Sequence, residues 1–211
     1  MKAAIAAMRC VTAGLVWAAC TLQQATSGAQ EIDAEYLRVI EGRAAKIVAT
    51  LGIEGEERSV RVRDLIASHY RQLRDIDAPL ENLAGAESSE RQRLEANGQQ
   101  ARFAWHRTFV TRLQAELTPA QVDLVKEGLT YGTMEGTYRH YLELLPTLSD
   151  AQRRSLRAHL LEAREYAMDG GSSDAKHQWF RKYKGRINNE LAAAGFNMKE
   201  AEEAWQAKQG R

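Results

Sequence analysis

Leu117-Thr118-Pro119-Ala120-Gln121-Val122 gathers the start signals of an α-helix into six residues. The Thr118 hydroxyl can accept the N3 amide, Pro119 at N1 gives up no needed donor, and Gln121 at N3 can reach back to the cap. Leu117 and Val122 occupy the two positions of a hydrophobic staple. The same box recurs at Leu148-Ser149-Asp150-Ala151-Gln152, with Arg153 at the staple position. Each box predicts a helix, one running to about Leu129 and the other to about Met168, with a short helix over about 134–144 between them.

Working outward, the apolar residues keep helical spacing. Tyr36, Leu37, Ile40, Ala44, Ile47, Val48 and Leu51 predict a helix over about 33–51 that stops near Gly52. Val62, Ile66, Tyr70, Leu73 and Leu80 predict a second over about 57–77, closed by Pro79. Residues 84–100 are polar and contain Gly85 and Asn97-Gly98, which reads as a loop or a broken helix. Phe103, Val110, Leu113 and Leu117 mark a third long helix. After Asp169-Gly170-Gly171 another begins at Ser172 or Ser173 and reaches about Ala194, where Gly195 suits the C-cap. Asn197 and Glu200 open a last polar helix. No β-branched run alternates with period two. The expected fold is all-α, a helical bundle or orthogonal helical array of about six to eight helices with no sheet.

Residues 1–29 read as a signal peptide. Lys2 and Arg9 give a positive start, Cys10 to Leu22 is apolar, and Ser27 and Ala29 are small residues ahead of a cut before Gln30. The apolar run is too short for a membrane span, which needs roughly 20 residues. Ala18-Ala19-Cys20 admits a variant, a lipid anchor on Cys20, although Trp17 stands where leucine is usual. Residues 30–211 then form one all-helical domain, exported to the periplasm or cell surface. Both cysteines, Cys10 and Cys20, leave with the leader, which excludes disulfides and thiolate chemistry from the mature chain. Removing Lys2 and Arg9 shifts the formal charge from +1 to −1, too little field to draw in nucleic acid.

Chemistry-bearing motifs are sparse. The histidines (69, 106, 140, 159 and 177) form no i, i+4 pair, and no H-E-x-x-H is present, so no metal ligand set is expected. No phosphate-binding or dinucleotide loop occurs, and no cofactor is implied. Ser172, Ser173, Asp174 and His177 have the residue types of a nucleophile site, but at a helix start they are better explained as caps.

The informative stretch is 169–189. At about 100° per residue, Trp179, Phe180, Tyr183, Ile187, Leu191 and Ala194 share one arc, the expected buried face. Gly185 points nearly opposite, among Arg181, Lys182, Asn188 and Asn189. His177 and Lys184 lie at one margin and Arg186 at the other. A glycine within a helix costs about 1 kcal/mol relative to alanine. A neighbouring helix or a ligand is therefore expected to approach the backbone there, the alternative being a solvated charged face. Arg181, Lys182, Gly185, Asn188 and Asn189 are the candidate ligand-binding residues, and His177, Tyr183 and Arg186 the candidate catalytic ones. Tyr131-Gly132-Thr133-Met134-Glu135-Gly136-Thr137-Tyr138-Arg139-His140-Tyr141 is a second candidate, with aromatics that could hold a sugar ring or belong to the core.

Two resemblances bear on function. The repeated L-[TS]-x-x-Q boxes are similar to those of small periplasmic stress chaperones of the Spy and CpxP type, whose cradle is strongly basic where this chain is near neutral. Over most of the mature chain, the sequence resembles the secreted bacterial family known as domain of unknown function 3826. The likeness is carried by Leu117–Val122, Lys126–Gly132, Glu162–Asp169, Gly171–Ser173, Lys176-His177 and above all Lys182-Tyr183-Lys184-Gly185-Arg186-Ile187-Asn188-Asn189. That resemblance implies a sugar-binding role and supplies no catalytic residues. The expected function is therefore a carbohydrate-binding or carbohydrate-processing accessory protein. Its expected partner is a saccharide, an acidic one being suggested by Arg181, Lys182 and Arg186. The alternatives are a lyase on uronic-acid polysaccharides, with Tyr183 or His177 moving the proton, and a chaperone.

Overall fold

The structure, a computed structural model, describes residues 33–81 and 87–209. The expected signal peptide, its cut before Gln30 and the lipid-anchor variant at Cys20 fall outside the described residues. The chain forms two compact units, Met1–Arg43 and Ala44–Arg211. The described part of the first is helical (33–43), and everything below concerns the second.

Among the described residues the chain is all-α, with eight helices and no strand. They are α1 (33–48), α2 (Glu56–Glu81), α3 (Ser88–Glu116), α4 (Pro119–Leu129), α5 (Thr133–Leu144), α6 (Asp150–Ala167), α7 (Ser173–Ala193) and α8 (Met198–Gln209). No helix among them is long and apolar enough to cross a membrane.

Two antiparallel pairs organise the larger unit. Along α2 and α3, Arg61 meets Glu116, His69 meets Trp105, and Asp77 meets Arg102, so the partners run in opposite directions. Along α6 and α7, His159 meets Glu190 and Tyr166 meets Trp179 in the same sense. The α6–α7 pair shares a core with α5 through Met134, Tyr141, Leu156, Leu160, Phe180, Tyr183 and Ile187.

Both capping boxes form as read. Thr118 and Ser149 accept from the Gln121 and Gln152 amides, and each glutamine side chain returns to the cap amide. Leu117 and Val122 are both buried, as a staple requires. Thr118→Ala or Ser149→Ala is expected to cost about 0.5–2 kcal/mol of unfolding free energy, measured in urea. A loss below a few tenths would mean the boxes are ornamental.

Several boundaries differ from the sequence reading, each for a physical reason. Pro79 lies inside α2, not beyond it, two residues before the helix ends. There the proline forfeits one hydrogen bond without interrupting a long run. Residues 88–100 are neither a loop nor a broken helix but the first half of α3. Gly98 is buried, and a Cβ there would sit 3.4 Å from Leu80 Cδ1, so the glycine lets α2 and α3 close on each other. Ala194, expected on the buried arc, is exposed: it is the C-cap, one position past the end of α7.

Candidate functional site

The chain reverses between α6 and α7 at Met168-Asp169-Gly170-Gly171, and this reversal organises the polar centre of the molecule. The carbonyls ending a helix lack intrahelical partners and carry the negative end of its dipole. Here three basic side chains meet them. The Met168 carbonyl accepts from His69 Nε2 at 3.1 Å and from Lys176 Nζ at 3.1 Å, and the Asp169 carbonyl accepts from Arg102 at 3.0 Å. Lys176 is only 2 % exposed, which a lysine tolerates because the carbonyl and the Tyr70 ring face receive its charge. Gly170 must be glycine for space: a Cβ would lie 2.9 Å from the Lys176 backbone nitrogen.

His69 is wholly buried, stacked on Phe109 with ring centroids 4.1 Å apart. Trp105 Nε1 donates to its Nδ1 at 3.0 Å, so the proton resides on Nε2 and points at Met168. Burial pushes its pKa down to about 4, against the pull of Asp169. His106 behaves in the opposite way. Its Nδ1 donates to Asp169 Oδ2 at 2.7 Å, and that hydrogen bond holds its pKa above the ordinary histidine value. Its Nε2 faces Glu165 Oε2 at 3.7 Å, and the same oxygen accepts from Lys126 at 2.7 Å. Asp169 Oδ1 is buried, 3.8 Å from His69 Nε2, and accepts no hydrogen bond.

This centre is the floor of a cleft of about 560 Å³. Asp77 and Leu80 of α2 form one edge. Glu95, Gln99, Arg102, Phe103 and His106 of α3 form the next, and Glu165, Tyr166, Trp179 and the glycine turn complete it. The α3 residues follow at spacings of 4, 3, 1 and 3, the step of a single helix face. Phe103 is 66 % exposed and Tyr166 46 %, so these rings are not core. Tyr166 stacks on Trp179 with centroids 4.6 Å apart, making a rigid aromatic wall. The volume, the aromatic walls and the few converging polar groups fit a small-molecule site.

The candidates taken from the sequence of α7 lie elsewhere. Arg181, Lys182, Gly185, Arg186 and Asn189 are exposed, and none lines the cleft. Among the described residues, no atom beyond the glycine's own helical turn lies within 4 Å of a Cβ built on Gly185, so no neighbouring helix among them accounts for that glycine. Asn188 is drawn into structure, accepting from the Tyr141 hydroxyl at 2.6 Å, and lines a separate hollow of about 360 Å³ with His140 and Lys184. His177 is exposed, its ring 6.3 Å from that of Tyr131. Tyr183 is buried, with Arg186 over its ring. Burial pushes its pKa up to about 12, and Glu162 acts in the same sense. A phenol held that high is a poor base near neutrality. Ser172 caps α7 by accepting from the Ala175 amide. Of the 131–141 segment, Tyr141 is core and Tyr131 exposed.

The sequence reading did not reach the cleft because Glu95 and Gln99 fell in the stretch taken for a loop or a broken helix. The signal that could have found them is the face Glu95-Gln99-Arg102-Phe103-His106, visible once 88–116 is treated as one helix.

A comparison with the curated proteins finds no match. Residues 37–210 match the family described as "Protein of unknown function (DUF3826)", and the chain belongs to that family.

Proposed function

We propose that this member of the DUF3826 family is a saccharide-binding or saccharide-processing protein, and that the sugar sits in the cleft over Asp169 and His106. The observation that carries the reading is the exposed aromatic wall of Phe103, Tyr166 and Trp179 beside a hydrogen-bonding floor. Sugar rings offer apolar C–H faces to aromatic rings and hydroxyls to fixed donors and acceptors. Proton transfer is within the chemistry of the floor, since a histidine oriented by a buried carboxylate is a common acid–base unit. The leader supports export, and mass spectrometry of secreted protein beginning at Gln30 tests it.

Calorimetry against a panel of neutral, amino and acidic oligosaccharides tests the reading. Phe103→Ala removes an exposed ring at little structural cost and is expected to weaken binding about tenfold with melting temperature unchanged. A panel that gives no binding at all would end the saccharide reading.

The α7 face supports a second location, on one observation: open space over a helix-interior glycine. If the cleft is the site, Gly185→Ala is expected to stabilise the fold by up to about 1 kcal/mol and leave binding intact. Raised stability with lost binding, in Gly185→Ala or Gly185→Leu, would move the ligand to the face of Arg181, Lys182 and Asn189.

A further inference from the structure

We infer that the saccharide taken by the cleft carries free amines and enters as a cation, an oligosaccharide of the glucosamine type. This rests on the saccharide reading above and names its substrate class.

Four carboxylates line the cleft, those of Asp77, Glu95, Glu165 and Asp169, against two basic groups, Arg102 and His106. Both basic groups already face carboxylates of the protein. Arg102 is spent on Asp77 at 2.5 Å and on the Asp169 carbonyl, and His106 on Asp169. One carboxylate, by contrast, is unspent: Glu95 is exposed and has no ion-pair partner among the described residues. Asp169 Oδ1 also accepts no hydrogen bond, but it is buried, 3.8 Å from His69 Nε2. A uronate would bring a further negative charge into this field and lose its hydration with nothing to replace it.

The walls act in the same direction. The faces of Trp and Tyr rings attract cations, and Trp179 already holds the Lys182 ammonium 4.8 Å from its ring centroid. Phe103, the most exposed of the three rings, stands two turns of α3 beyond Glu95. A ring and a free carboxylate on one helix face, about 12 Å apart along its axis, suit an oligosaccharide that carries more than one ammonium group. Nor does the sign of the cleft follow from the whole chain, whose formal charge is near zero, +1 in full and −1 without residues 1–29.

The test is calorimetry at pH 6, where carboxylates are ionised and amines protonated. The probes are glucosamine tetramer, its fully N-acetylated form, galacturonate tetramer and spermidine, a cation that is not a sugar. Glucosamine tetramer is expected to bind at least tenfold tighter than the acetylated form, with the gap narrowing in high salt. Glu95→Lys, an exposed substitution that leaves the core untouched, is expected to abolish that preference and admit the galacturonate. Equal binding of both glucosamine forms, or tighter binding of galacturonate by the unaltered protein, would overturn the inference and leave the saccharide reading standing. Binding of spermidine alone, lost in Glu95→Lys, would sustain the cationic class and overturn the saccharide reading. If neither glucosamine tetramer nor spermidine binds, the inference fails.

Discussion

Lowering the pH from about 6.5 to 4 is expected to remove about 3 kcal/mol of folding stability through His69 alone. The buried ring resists its second proton until about pH 4, whereas the unfolded chain takes it up near 6.5. Between those values the unfolded state holds more protons, so stability rises with pH. The contribution is complete above 6.5 and is lost as pH falls toward 4. Geometry agrees with the direction: a proton on Nδ1 would face the Trp105 N–H that now donates to it. Urea unfolding at half-unit pH intervals measures the slope. His69→Gln can keep a donor to the Met168 carbonyl, yet it cannot titrate. The difference in slope between the two proteins isolates the histidine from the carboxylates that also titrate in acid. Parallel slopes would mean that His69 is protonated in the fold.

Asp169→Ala is expected to cost about 1–3 kcal/mol at neutral pH, because it strips the charged partner from the His106 Nδ1–H. His106 remains partly open to water, so the loss stays short of that for a fully buried pair. The same variant should leave a titration signature. The His106 pKa is raised in the native protein, so its contribution is present below about 6.5 and lost as pH rises through the folded value. Without Asp169 that alkaline loss should largely vanish, and the His106 pKa should fall toward the ordinary range in proton NMR. His69 should fall further as well, since Asp169 pulls its pKa upward. Two histidines moving down together would establish that one carboxylate serves both. A His106 that titrates unchanged would assign its shift to Glu165 instead.

What the sequence determined by itself is local. Capping boxes at Thr118 and Ser149, Pro119 at N1, Gly195 after α7 and three- and four-residue apolar steps are decided within a few residues of chain. That is why the all-α class and the starts of α4, α6 and α7 could be read correctly. Only the tertiary structure decided where chemistry collects. His69, Trp105 and Met168 are far apart in sequence and meet through two side chains and a backbone carbonyl, and His106 and Asp169 meet through their side chains. A helical period records which residues share a face, but not which face of another helix it will meet. The stretch 88–100 shows the same limit from the other side. Its polar residues and Asn97-Gly98 look like a loop because they have no apolar stripe. The helix persists because Gly98 closes on Leu80 while Glu95 and Gln99 face the cleft. Gly185 is the converse case. Its helical phase was legible, and the structure removed one explanation by placing no neighbour over it. Packing partners are set by the summed burial of several helices at once, and no single stretch of this chain contains that sum.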